Sequence, residues 1–163
     1  MPKTIMNELV QAASVVVTQG GADAFVNETI QTGISTLGNF GWLLHRVDYT
    51  LRTASAGIEG MSADANIQLQ LCRKVQTAII DFEDQDLLMD QQYALSLTTS
   101  GQVWVPESHI WYPPDNMVVV DPEISFSLDS NATGLTLVAD CRVYYFPVSM
   151  SQMDILRLTV GFQ

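Results

Sequence analysis

The sequence predicts an all-β protein, an antiparallel β-sandwich of about eight strands. Three observations carry this. Apolar side chains recur at every second position through most of the chain, the period of a strand with one buried and one wet face. Clusters of Gly, Pro, Asn, Asp and Ser punctuate these stretches at hairpin-like intervals. Long helical repeats between them are missing, which argues against a parallel α/β sheet. At 163 residues and 47% hydrophobic, the chain has the length of one domain and enough apolar surface for its core.

Residues 1–23 read as an N-terminal arm or helix and residues 24–163 as the sandwich domain. Ile5, Leu9, Ala13 and Val16 recur at helical spacing before Gly20-Gly21 breaks the pattern. A short helix and an extended arm packing on a neighbour both satisfy this. Residues 25–34 form a weak strand. Leu43, His45, Val47, Tyr49 and Leu51 alternate with Leu44, Arg46, Asp48, Thr50 and Arg52, a strand with His45 on its apolar face. The small residues of 53–66 make a loop. Ile67, Leu69 and Leu71 then alternate with Gln68 and Gln70, residues 75–92 leave helix and strand open, and Leu95 and Leu97 mark another strand. Val103-Trp104-Val105 stops at Pro106. After the turn at Pro113-Pro114-Asp115-Asn116, Val118, Val120, Ile124, Phe126 and Leu128 face one way, with Pro122 marking an edge or bulge. Leu135, Leu137, Ala139, Cys141, Val143 and Tyr145 form the longest strand, halted by Pro147. Ser149 or Ser151 caps a helix opening at Ser151-Gln152-Met153-Asp154, and Leu158, Val160 and Phe162 read as a short closing strand.

Charged residues make up only 15% of the chain, against roughly 25% in typical soluble domains. Eighteen acids face seven bases, a net charge of −11. Direct nucleic-acid binding needs clustered Lys and Arg to meet phosphates, and this balance argues against it. The polar coat is largely Ser, Thr, Gln and Asn, with seven Met and three Trp, a composition suited to surfaces buried against neighbours. No apolar run approaches the roughly 18 residues of a membrane-spanning helix. Asn7 and Glu8 interrupt what would be a signal-peptide core. Cys72 and Cys141 lack metal-ligand spacing and are expected as buried free thiols, with a disulfide between them left open. Asn27-Glu28-Thr29 and Asn131-Ala132-Thr133 match the glycosylation pattern at chance level for a chain this rich in Ser and Thr.

Three groups of residues are candidate sites. Asp81, Glu83, Asp84, Asp86 and Asp90 crowd together, and calcium takes carboxylate oxygens gathered by a loop. The run lacks the spacing and central Gly of an EF-hand loop, so a solvated acidic loop is expected. Asp81, Glu83, Asp84 and Asp86 remain candidate ligands of a calcium ion shared between subunits. His45 and His109 have no Gly-x-Ser-x-Gly elbow to serve and no recognisable zinc spacing, so no catalytic residue or cofactor is assigned. The stretch from Trp104 to Tyr112 holds Trp104 just before Pro106, and His109, Trp111 and Tyr112 between Pro106 and Pro113-Pro114, where aromatic rings could stack on a sugar or anchor a partner. A Trp that covers one end of the sandwich is the plainer alternative. Ile5, Leu9, Val16, Trp104, Trp111 and Tyr112 are the candidate interface residues.

Two runs give the chain a resemblance. Trp42-Leu43-Leu44-His45-Arg46-Val47-Asp48-Tyr49 is similar to an early jelly-roll strand. Arg142-Val143-Tyr144-Tyr145-Phe146-Pro147-Val148, followed by Ser149-Met150-Ser151-Gln152-Met153-Asp154, is similar to a last strand leading into a terminal helix. With the order of elements over 24–158, the chain resembles the single jelly-roll coat proteins of small viruses. The resemblance implies a jelly-roll sandwich without enzymatic activity. It also implies a virion (capsid) subunit that forms a homo-oligomeric shell with other virion proteins as partners. Many such proteins neutralise their genome with a basic arm, whereas here the arm offers only Lys3. Direct nucleic-acid binding is therefore not expected. The alternative is a β-sandwich binding or attachment module, a decoration or spike that meets a carbohydrate or receptor through Trp104, Trp111 and Tyr112.

Overall fold

A computed structural model describes residues 4–5, 9–20, 24–34, 38–53, 64–95, 108–114, 117–131 and 136–160. In chain order they form β1 (Thr4–Ile5), β2 (Gln11–Gln19), β3 (Val26–Gln31), β4 (Phe40–Thr53), β5 (Ala65–Cys72) and β6 (Leu87–Leu95). Then come β7 (Ser108–Trp111), β8 (Val118–Val119), β9 (Glu123–Ser130), β10 (Leu137–Ser149) and α1 (Gln152–Val160). One sheet runs β1-β10-β4-β7, with β2 also on β10 and β8 also on β4, and the other runs β3-β9-β5-β6. β2 pairs with β10, β3 with β9, β4 with β7 and β5 with β6, all antiparallel, so the pairs nest as in one long hairpin. The β10–β4 and β9–β5 ladders roll that hairpin into two packed layers. This is a jelly roll.

Alternate residues of both sheets fill the space between them: Val17, Val47, Leu51, Leu69, Leu71, Phe126, Leu128 and Leu137 are all buried there. Residues 11–19 are extended. The β-branched run Val15-Val16-Val17-Thr18 favours a strand, and all nine residues of β2 pair with β10. Gln19, fully buried, donates from Nε2 to the carbonyls of Ala24 (2.6 Å) and Ser130 (2.9 Å), tying β2 to the opposite sheet.

Strand β4 breaks its alternation once. Tyr144 pairs with Arg46 and Tyr145 with Leu44, so His45 is an extra residue, a β-bulge. His45 and Arg46 both turn away from the core, and Trp42, Leu44, Val47, Tyr49 and Leu51 all turn into it. His45 is therefore exposed against the edge of Phe146, off the apolar face that strict alternation predicts. Leu43 packs on a second, smaller core of Val118, Val120, Val148, Met150 and Ile155, the last from α1. Gly41 serves this close packing, since a Cβ there would lie 2.9 Å from the Val119 carbonyl oxygen.

The bulge makes a prediction about deletions. Removing His45 leaves a regular strand with the same side chains facing inward, and should cost no more than about 2 kcal/mol. Removing Asp48 instead reverses the facing of one end of β4 and forces at least two core side chains outward. At about 1.5–3 kcal/mol each, that is about 3–6 kcal/mol. Denaturant unfolding of the two variants measures the difference, and equal losses would refute this account of the bulge.

Other expectations shift where a neighbour intervenes. Pro147 does not halt β10, which runs on to Ser149. The proline sits between the β2 pairing, ending at Tyr145, and the β1 pairing, beginning at Val148, where that flank of the ladder is already open. Leu158 and Val160 belong to α1, not to a closing strand. Ser151 caps that helix: its Oγ accepts from the Asp154 amide (3.2 Å) and donates to Asp154 Oδ2 (2.8 Å). Residues 75–86 are turns and extended chain leading into β6, and residues 108–111 are a strand where a loop was expected. Segment 73–80 covers the second face of the smaller sheet. There Ser125 Oγ donates to the Lys74 carbonyl (2.7 Å), and Gln70 exchanges two hydrogen bonds with the Ile80 backbone. The expected strands at Leu97 and 103–105, and Trp104 itself, lie outside the described residues.

Candidate functional site

Strand β7 lies on β4, with Trp111 opposite Val47 and Ser108 opposite Thr50. Alternation turns His109 and Trp111 towards the core and Ser108, Ile110 and Tyr112 outward. His109 stacks on Tyr49 at 5.5 Å, so it fills space between aromatic rings. Trp111 is half-buried against the main core, the plainer of its two expected roles. Ile110 and Tyr112 are 52% and 64% exposed. Phe82, in the turn before β6, stands 87% exposed in a groove that Tyr112 also lines. Phe82, Leu88, Met89, Trp111, Tyr112 and Pro114 line one groove of about 410 Å³.

The acidic run is a structured turn. The Asp84 amide donates to the Asp81 carbonyl (2.9 Å), the Asp86 amide to Asp84 Oδ1 (2.8 Å), and the Arg73 amide to the Asp86 carbonyl (2.7 Å). Lys74 Nζ lies 3.0 Å from Asp86 Oδ1, and Asp90 accepts from Gln68, Gln70 and Gln92. Asp81 and Glu83 point to solvent. Among the described residues no three His, Cys, Asp or Glu side chains converge as metal ligands, Asp81, Glu83, Asp84 and Asp86 included.

The outward face of the larger sheet is chemically different from the rest of this acidic chain. It gathers Arg46, Arg52 and Arg142, three of the seven bases, against Asp48 and Asp140. Arg46 pairs with Asp48 (3.2 Å) and lies over the Tyr144 ring at 4.2 Å, and Arg52 pairs with Asp140 (2.9 Å). Arg142 is exposed and has no ion-pair partner among the described residues. Val16, Ile110, Tyr144, Arg142, Asp48 and Asp140 share the lining of a shallow concavity of about 420 Å³ on this face.

Of the remaining sequence candidates, Leu9 is 72% and Val16 50% exposed, and Ile5 pairs with Val148 in the short β1 ladder. Cys72 and Cys141 are free, buried and in different sheets. Burial, aided by Asp86, Asp84 and Asp90, pushes the Cys72 thiol up to about 12, and burial also raises Cys141, so neither is a thiolate nucleophile at neutral pH. No helix among the described residues is long and apolar enough to cross a membrane. Sequence reasoning missed Phe82 and the arginine face. An aromatic inside an acidic run was a visible signal for the first, whereas the arginines come from separate strands.

No family model and no curated protein sequence matches the chain. Solved structures do. Desmodium yellow mottle tymovirus is similar over 93% of this chain and 95% of its own, at 8% identity and a TM-score of 0.37. Empty-head turnip yellow mosaic virus covers 93% of this chain and 88% of its own, at 8% identity and 0.36. Trichodysplasia spinulosa-associated polyomavirus VP1, solved in complex with sialylated glycooligomers, covers 91% and 98%, at 8% identity and 0.39. All three are viral capsid proteins.

Proposed function

We propose that this chain is a non-enzymatic virion protein, the self-assembling subunit of a capsid shell. The observation that carries the reading is where its exposed apolar side chains lie. Leu9 and Val10 lie just before β2, at one edge of the larger sheet. Val16 and Ile110 share the concavity on the outward face of that sheet, Tyr112 follows β7 in the groove with Phe82, and α1 adds Met153 and Leu156. A module with one ligand needs one such patch, whereas a shell subunit needs several, one for each neighbour. The low charge content supports the same reading. The net charge of −11 supports a genome held away from this subunit by a membrane or another virion protein, or countered by small cations.

The second reading, an attachment module, draws on the groove of Phe82, Trp111 and Tyr112, whose aromatic faces suit a sugar ring. Light scattering behind a sizing column, with negative-stain imaging of the heavy fraction, separates the two. The expected result is closed particles of uniform diameter. A monomer at every concentration, together with glycan-array binding lost on Tyr112→Ala, would replace the shell reading with the attachment one.

A further inference from the structure

We propose that the turn at 81–86 of one copy docks on the outward face of the larger sheet of a second copy. Phe82 enters the concavity bounded by Val16, Ile110 and Tyr144, and the acids beside it meet Arg142. The inference rests on the self-assembly reading and names one of its contacts.

The turn has the form of a preorganised knob. Its backbone is closed by the bonds from the Asp84 amide to Asp81, from the Leu87 amide to Asp84 and from the Arg73 amide to Asp86. Phe82 is then held out at 87% exposure, so little freedom is lost when it is covered. A phenyl ring on water in a rigid turn is costly for a free monomer and is the kind of anchor that centres an interface. The concavity on the sheet has the room, about 420 Å³, and offers Val16 at 50% and Ile110 at 52% exposure as its apolar lining.

Charge selects a second copy as the occupant. Asp81 and Glu83 flank Phe82, are exposed and take part in no ion pair among the described residues. Arg142 is an unpaired cation among the described residues, on a face where Asp48 and Asp140 balance Arg46 and Arg52 and one positive charge is left over. Two like copies of a chain at −11 repel each other over most of their surfaces. Bringing the acidic turn onto the arginine face is the approach that turns this repulsion into attraction, and it fixes the register.

The test uses the full chain. Sedimentation velocity over a range of concentrations compares the parent with Phe82→Asp and Arg142→Glu, with far-UV circular dichroism to verify folding. Both side chains are exposed, so the variants should fold. Each should weaken self-association at least about tenfold. Combining Glu83→Arg with Arg142→Glu should recover part of the loss, and raising the salt should weaken the parent. If the parent assembles and neither single variant weakens it, this contact is wrong and the shell reading stands. If the parent is monomeric at every concentration, both fall.

Discussion

Removing residues 1–24 unfolds the sandwich, whereas removing residues 1–10 leaves it folded. Strand β2 is a full member of the larger sheet: nine residues pair with β10 from Tyr145 to Leu137. Deleting it uncovers Val17 and opens a flank of β10, leaving Leu137, Ala139 and Cys141 with less cover. It also removes Gln19, whose amide joins β2 to Ala24 and to Ser130 of the other sheet. We expect a loss above about 5 kcal/mol, comparable with the whole net stability of an ordinary domain. Cutting before Gln11 removes the two-residue β1 pairing with β10 and the exposed Leu9 and Val10, and leaves the nine-residue β2–β10 ladder intact. Thermal melts followed by circular dichroism decide it. A 25–163 fragment that melts cooperatively at the parent temperature would mean that β2 is an appended arm. The shorter cut is therefore the one to use when asking what the N-terminal edge contributes to assembly.

Phe126→Ala should destabilise the protein by about 3–5 kcal/mol and lower its melting temperature by about 6–20 °C. Phe126 is the bulkiest of the fully buried side chains among the described residues, on a strand with neighbours on both sides, opposite Glu28 of β3 and Leu71 of β5. Truncation leaves a cavity where two ladders meet, a place that cannot close without shifting both. Phe82→Ala is the matched control. The same atoms are lost from a ring that is 87% exposed, and the change in stability should stay within about 0.5 kcal/mol. Scanning calorimetry of the two variants gives both values. A loss below about 1 kcal/mol for Phe126→Ala would contradict the packing described here.

Much of the fold was legible because a strand with one wet face is a local pattern. Ile67, Leu69 and Leu71, and later Ile124, Phe126 and Leu128, announced β5 and β9 and are all buried. The cap at Ser151 was legible for the same reason, since its partner Asp154 is three residues away. Less of the candidate site could be read. Tyr112 was singled out with Trp111, but strand alternation separates them, Tyr112 outward and Trp111 onto the core. Ile110 went unnoticed because a four-residue strand within a stretch bounded by prolines does not declare itself until β4 pairs with it.

By itself, the sequence determined an all-β sandwich, its longest strands, a terminal helix start and an acidic chain with few charges on a strongly apolar background. Those properties depend on composition and on spacing within a few residues. Only the tertiary structure decided that His45 is a bulge and points outward, because a bulge exists only against a partner, here Tyr144 and Tyr145. The cover over Ser125 and Gln70 was decided in the same way, by segment 73–80 folding back across them. So was the gathering of Arg46, Arg52 and Arg142 on one face, from strands separated by about ninety residues of chain and brought side by side by the β10–β4 ladder. Period-two spacing tells which residues share a face of one strand. Which strands lie next to each other, and so which charges meet, is set by how the nested hairpin rolls up.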